Sequence, residues 1–209
     1  QDSITAEDVL RNYIEALGGE EKIKAVQSIE IQSLRPIRGD TVRFLEKKIS
    51  GKVLIQQSDF QGQKAQAIVV SSEGINITPE GIFSMPENQV VRNMNDMHIF
   101  PELNYLMEPQ NLTYEGTFLL DGLTTCHKIS ISQPDGSVMY KAYNAETGLL
   151  EQKDYQNVRY RFRSYQEVGG IPFPAETSIG PMSEFTHKII LNAEISENEY
   201  NWNTKEDLR

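Results

Sequence analysis

The sequence predicts an α+β fold: one large antiparallel sheet with helices available to cover one of its faces. Three observations carry that prediction. First, from Tyr114 to Ile179 strand-like runs alternate with the turn pairs Asp121-Gly122, Asp135-Gly136, Thr147-Gly148 and Gly169-Gly170. Asp-Gly and Gly-Gly supply the positive φ angles that tight hairpins need, while the alternating runs supply faces to bury. Second, an earlier series of runs at 29–34, 41–49, 52–60 and 64–71 is split by Gly39, Gly51 and Gly62, each junction short enough for a hairpin. Third, an amphipathic stretch at the front and another in the middle have helical rather than strand periodicity, and a half-buried sheet needs such covers.

In chain order, Thr5 is the N-cap of the first helix, with Glu7 in its first turn and Asp8 forming a partial capping box. Val9, Leu10, Tyr13, Ile14 and Leu17 fall on one stripe, and Gly18-Gly19 closes the helix. A short helical piece at 20–26 leads into the first strands. From Ile82 to Met107 the period of two is lost. Pro86 precedes a run, 87–97, in which Val90, Val91, Met94 and Met97 recur at helical spacing. Beyond Ile179 one more strand is expected, with Phe185, His187, Ile189, Leu191, Ala193 and Ile195 on one face. No repeat or linker interrupts the 209 residues, which read as a single domain with an irregular helical insertion at 82–107 and a polar tail at 198–209.

Charge and composition exclude several classes. A net charge of -10 and a pI near 4.9 oppose nucleic-acid binding and simple attachment to anionic lipid. The mean hydropathy of -0.47 fits a globular chain, and no apolar run reaches the roughly 20 residues of a membrane-spanning helix. Cys126 is the one cysteine, so neither an intramolecular disulfide nor a thiolate metal cage is expected. The chain starts at Gln1 without a Met, which reads as a mature end after removal of a leader or as a boundary, and export is the expectation.

No catalytic constellation is expected. Cys126 and His127 are adjacent, but on a strand they point to opposite faces. His98, His127 and His187 lack the spacing of a known metal pattern, and there is no nucleophile elbow, phosphate loop or dinucleotide fingerprint. No cofactor or metal is therefore assigned. Two features rise above the background. Arg159, Arg161 and Arg163 share a strand face opposite Val158, Tyr160 and Phe162. They are expected on the solvent side, paired with acidic neighbours such as Glu151 or Glu176, the alternative being a grip on an anionic head group. The 82–107 segment concentrates methionine. As a lid over an apolar pocket it would use Ile82, Phe83, Met85, Val90, Met94, Met97, Phe100, Leu103 and Met107. The alternative is an ordinary core helix.

Several motifs together resemble a known family. They are Glu15-Ala16-Leu17-Gly18-Gly19, Lys24-Ala25-Val26, Phe100-Pro101-Glu102-Leu103-Asn104-Tyr105, Gly116, Asp121-Gly122 with Cys126-His127-Lys128-Ile129, Asp135-Gly136, Tyr143-Asn144-Ala145-Glu146-Thr147-Gly148-Leu149-Leu150, and Tyr165-Gln166-Glu167-Val168-Gly169-Gly170-Ile171-Pro172-Phe173-Pro174. In this series the chain resembles the LolA/LolB-like outer-membrane lipoprotein-sorting family, in the form also found appended to insulinase-type zinc peptidases. The resemblance implies a strongly curved, incomplete antiparallel barrel, half open, with helices covering its concave face and an apolar cavity beneath them. It implies a non-enzymatic exported carrier, periplasmic or outer-membrane-associated, for an acyl chain or a lipoprotein. The alternative is an interaction module with a self-packed core and an envelope protein partner.

Overall fold

The structure, a computed structural model, describes residues 4–202. Its helices are α1 (Ala6–Ala16), α2 (Glu20–Lys24), α3 (Glu87–Asp96), α4 (Glu102–Tyr105) and α5 (Glu197–Tyr200). The strands run β1 (Ser28–Ile37), β2 (Asp40–Ile49), β3 (Val53–Phe60), β4 (Gln63–Val70), β5 (Glu73–Thr78), β6 (Gly81–Ser84), β7 (Leu112–Leu120) and β8 (Thr124–Ser132). They continue with β9 (Val138–Asn144), β10 (Leu150–Tyr155), β11 (Val158–Val168), β12 (Ile171–Ile179) and β13 (Met182–Leu191). All belong to one antiparallel sheet in the order β6-β5-β4-β3-β2-β1-β13-β12-β11-β10-β9-β8-β7, which does not close on itself. The chain forms two compact units, Gln1–Ala25 with Phe100–Glu184, and Val26–Ile99 with Phe185–Arg209.

In the first unit the turn pairs do what their chemistry predicts. Asp121-Gly122 joins β7 to β8, and Gly169-Gly170 joins β11 to β12, each pair with both φ angles positive. Helix α1 begins on the full capping box: Asp8 N donates to Thr5 Oγ1 at 3.1 Å and Thr5 N donates to the Asp8 carboxylate at 2.9 Å. Its stripe then buries Val9 and Leu10 against Ile129, Ile131, Met139 and Tyr143, with Tyr13 packed alongside. Two of the glycines in the motifs that carry the family resemblance, Gly148 and Gly18, are close-packing points. A Cβ on Gly148 would lie 3.0 Å from Asn12 O and 3.1 Å from Ala16 Cβ, so the β9–β10 turn rests directly on α1. At Gly18 a Cβ would lie 3.1 Å from Gly170 O, the carbonyl to which Lys22 Nζ donates at 3.2 Å.

In the second unit β1 pairs with β2 and with β13, and β2 to β6 follow as successive hairpins. The sequence expects loss of strand character from Ile82, whereas Gly81–Ser84 forms the short strand β6 on β5. Four residues are too few to show an alternation. The last strand ends at Leu191 rather than running on through Ala193 and Ile195, because Asn192 turns the chain at a φ of 52°. The segment read as a polar tail starts with α5, whose Glu199 carboxylate meets Lys47 Nζ at 2.5 Å. Tyr200 and Trp202 pack on the cluster of Val53, Ile55, Ile68 and Ile75. The rest of that tail, 203–209, lies outside the described residues.

The two kinds of turn glycine make a paired test. Gly136 has a φ of 81° and open space around a would-be Cβ, so Gly136→Ala is expected to cost about 1–2 kcal/mol, the strain of a left-handed backbone alone. Gly148→Ala adds steric conflict with the backbone of α1 and is expected to cost clearly more, about 3 kcal/mol. Urea midpoints of the two variants measure the difference.

Candidate functional site

The strand β9 alternates Met139, Lys141 and Tyr143 on the face that α1 covers, with Val138 and Tyr140 exposed on the other. A lysine is thereby carried into the core. Its ammonium meets the carboxylate of Glu102 on α4, Nζ to Oε1 at 2.5 Å, with the two side chains only 4% and 3% exposed. Tyr143 OH donates to the same Oε1 at 3.2 Å. Lys141 Nζ also stands 5.2 Å from the centre of the Tyr105 ring, and the Tyr13 and Tyr143 rings lie 5.1 Å apart. One carboxylate oxygen thus receives an ammonium and a phenol in a pocket walled by aromatic rings.

Burial drives the phenols of Tyr143 and Tyr13 well above the ordinary tyrosine value, and the negative charge of Glu102 adds to the effect. Both remain hydrogen-bond donors across the physiological range. Desolvating an ion pair this completely is expensive, and the attraction offsets the cost only with such added hydrogen bonds. The arrangement holds the Glu102 carboxylate between an ammonium and a phenol.

The residues named from sequence are placed as follows. In the second unit Met85, Val90 and Met97 are buried with Leu54 and Val69 of β3 and β4, Ile82 packs on a neighbouring cluster, and Phe83 and Met94 are exposed. Asn93 is buried there too, its amide donating to Met85 Sδ at 3.3 Å. In the first unit Phe100 is buried 6.0 Å from the Phe173 ring, Leu103 is half-buried, and Met107 is 74% exposed. Tyr105 and Leu106 pack on the α1 core.

The arginines are engaged by acids, though not the two named from sequence. Arg159 forks onto Asp154 at 2.8 and 3.2 Å, and Arg161 onto Asp121 at 2.6 and 3.1 Å. Arg163 stands 3.7 Å from the same Asp121. The hydrogen bonds from Arg161 hold the Asp121 carboxyl below its usual range. Across the strand Phe162 packs on the core, while Val158 is exposed.

Cys126 is fully buried beside Leu120 and Ala142, and burial pushes its thiol up to about 11. His127 points away from it, with Nδ1 3.0 Å from Tyr114 OH. Among the described residues no three His, Cys, Asp or Glu side chains converge as a metal site. A shallow cleft of 260 Å³ opens on the face of Ala142, lined by Phe118, Lys128, Tyr140, Gln152 and Arg159.

Sequence reasoning missed Lys141 and Glu102. The signal was present: Lys141 has the parity of Met139 and Tyr143, an anomalous charge on an otherwise apolar strand face. Its partner, 39 residues earlier, is invisible to any local pattern.

Removing one member of the pair and removing both are expected to differ sharply. Lys141→Met leaves a buried carboxylate uncompensated and is expected to lower stability by about 3–5 kcal/mol. Adding Glu102→Gln to it is expected to restore most of the loss, to within about 1–2 kcal/mol of the parent. Chemical denaturation of both variants reads this directly.

No protein-family model matches the chain, and no curated protein matches it. Solved structures do. A LolA superfamily protein from Nitrosomonas europaea is similar over 97% of this chain and 100% of its own, at 9% identity and a TM-score of 0.59. The Pseudomonas aeruginosa MucA/MucB complex is matched over 92% of this chain and 60% of that chain, at 10% identity and a TM-score of 0.33. For an uncharacterised conserved protein from Thermus thermophilus the coverages are 93% and 91%, at 9% identity and 0.32. The last two scores are too low to bear on the fold.

Proposed function

Because the fold is LolA-like, we propose that the chain is a non-enzymatic binding module of the bacterial envelope, taking an apolar chain such as an acyl group in place of its own middle segment. The observation that carries this reading is how the 82–107 segment is spent. It lays methionine and valine side chains on the apolar sheet surface of the second unit, and tyrosine and leucine on that of the first, by helices that lack the side-chain cap α1 has. Helix α3 even buries an amide, Asn93, against a thioether, a weak acceptor that returns little of the cost of desolvation. A cover held in this way is adaptable and locally weak, which suits a surface that a ligand takes over.

An acyl chain gains about 0.8 kcal/mol per methylene buried, which in the second unit is enough to displace α3 without any charge. An exported setting follows from the family resemblance and is part of the proposal. The interaction-module alternative has no comparable observation in its favour.

A fluorescent long-chain fatty-acid analogue is expected to bind the native protein. Asn93→Leu replaces the buried amide with an apolar group of similar size, so it is expected to stabilise α3 by about 1 kcal/mol and to weaken the probe accordingly. Fluorescence titration beside a thermal melt checks both. Absence of binding by a folded wild type refutes the reading, and binding indifferent to Asn93→Leu refutes displacement of α3.

A further inference from the structure

We infer that Lys141, with Tyr143, is a binding site for the carboxylate head of an amphiphile, and that Glu102 is the internal stand-in occupying it. The inference rests on the displaceable-cover reading and specifies the ligand class within the first unit.

The argument starts from what the Phe100–Met107 stretch delivers to the core. It presents one carboxylate, from Glu102, and two apolar side chains, Tyr105 and Leu106, that pack on the cluster containing Ile131, Met139 and Leu150. A charged oxygen next to a run of apolar atoms is the layout of a single-chain fatty acid. The receiving groups are built into the sheet: Lys141 and Tyr143 are two positions apart on β9, both buried and both aimed at one oxygen, 2.5 and 3.2 Å away. Tyr143 cannot ionise and compete, because burial and the facing carboxylate keep its proton in place.

The occupant, by contrast, sits on a four-residue helix without a side-chain cap, followed by the exposed Met107. A strand paired on both sides does not move easily, whereas a single uncapped turn does. Withdrawing the turn strands a buried ammonium, so opening is disfavoured until another anion replaces Glu102. An incoming carboxylate removes that penalty and a neutral head does not. Selectivity for acid over alcohol is then a consequence of desolvation, since an unpaired buried lysine is what the alcohol leaves behind.

Equilibrium binding of palmitate and of hexadecanol tests this, in the wild type, in Glu102→Gln and in the double variant Glu102→Gln/Lys141→Met, whose paired change keeps the protein folded. The wild type is expected to prefer palmitate by at least about ten-fold. Glu102→Gln, which removes the competing carboxylate, is expected to tighten palmitate while changing hexadecanol less. The double variant is expected to bind both alike. Equal binding of the two probes by the wild type overturns the head-group assignment and leaves the apolar-chain reading standing. A preference that survives in the double variant also overturns it, by placing the carboxylate elsewhere. No binding of either probe by a folded wild type removes both readings together.

Discussion

An open antiparallel sheet has an apolar face that the sheet cannot cover with its own strands. Everything else in this chain answers that constraint. The hairpins from β7 to β12 are local and cheap in loop entropy. Their inward residues, Ile129, Ile131, Met139, Tyr143 and Leu150, still need a lid. Helix α1 supplies one from the front of the chain, fixed by its capping box and by the glycine contacts at Gly148 and Gly18. The middle of the chain supplies the rest, and it is held by different means.

The difference lies in how each cover is secured. Helix α1 is fastened by backbone approach and by apolar burial, neither of which has an easy substitute. The α4 turn is fastened by the packing of Tyr105 and Leu106 together with a charge on a charge. Such a contact is strong only while both partners are present and can be satisfied equally by another anion of the same geometry. A buried ion pair is weak evidence for stability, and on the reading proposed above its role is specificity, deciding what lies against Lys141. In the second unit α3 buries a neutral group, the Asn93 amide donating to the Met85 thioether.

The sheet was legible because its turns are chemically explicit. Asp121-Gly122 and Gly169-Gly170 both place two residues at positive φ, and β7 carries clean alternation of burial. The strand β6 was not legible, since Gly81–Ser84 gives too short a pattern to separate from a loop. Of the expected stripe Val90, Val91, Met94 and Met97, Val90 and Met97 are buried while Met94 is exposed. Helical spacing fixes neighbours along a helix without fixing how wide a stripe the partner surface accepts. Strand parity, which separates Cys126 from His127, also puts Lys141 on the buried face of Met139 and Tyr143. Glu102 could not have been paired with it, because that contact depends on where a distant turn packs.

The central claim is that the middle segment is a separable cover on a rigid sheet. Native-state hydrogen exchange of the unliganded protein tests it most directly. The account predicts that amides of α3 and α4 exchange through local openings at least about ten-fold more readily than those of β8 and β9, with free energies well below global unfolding. Exchange of α4 at the same free energy as β9, rising and falling with global stability, would show the segment to be an inseparable part of the core and would contradict the account.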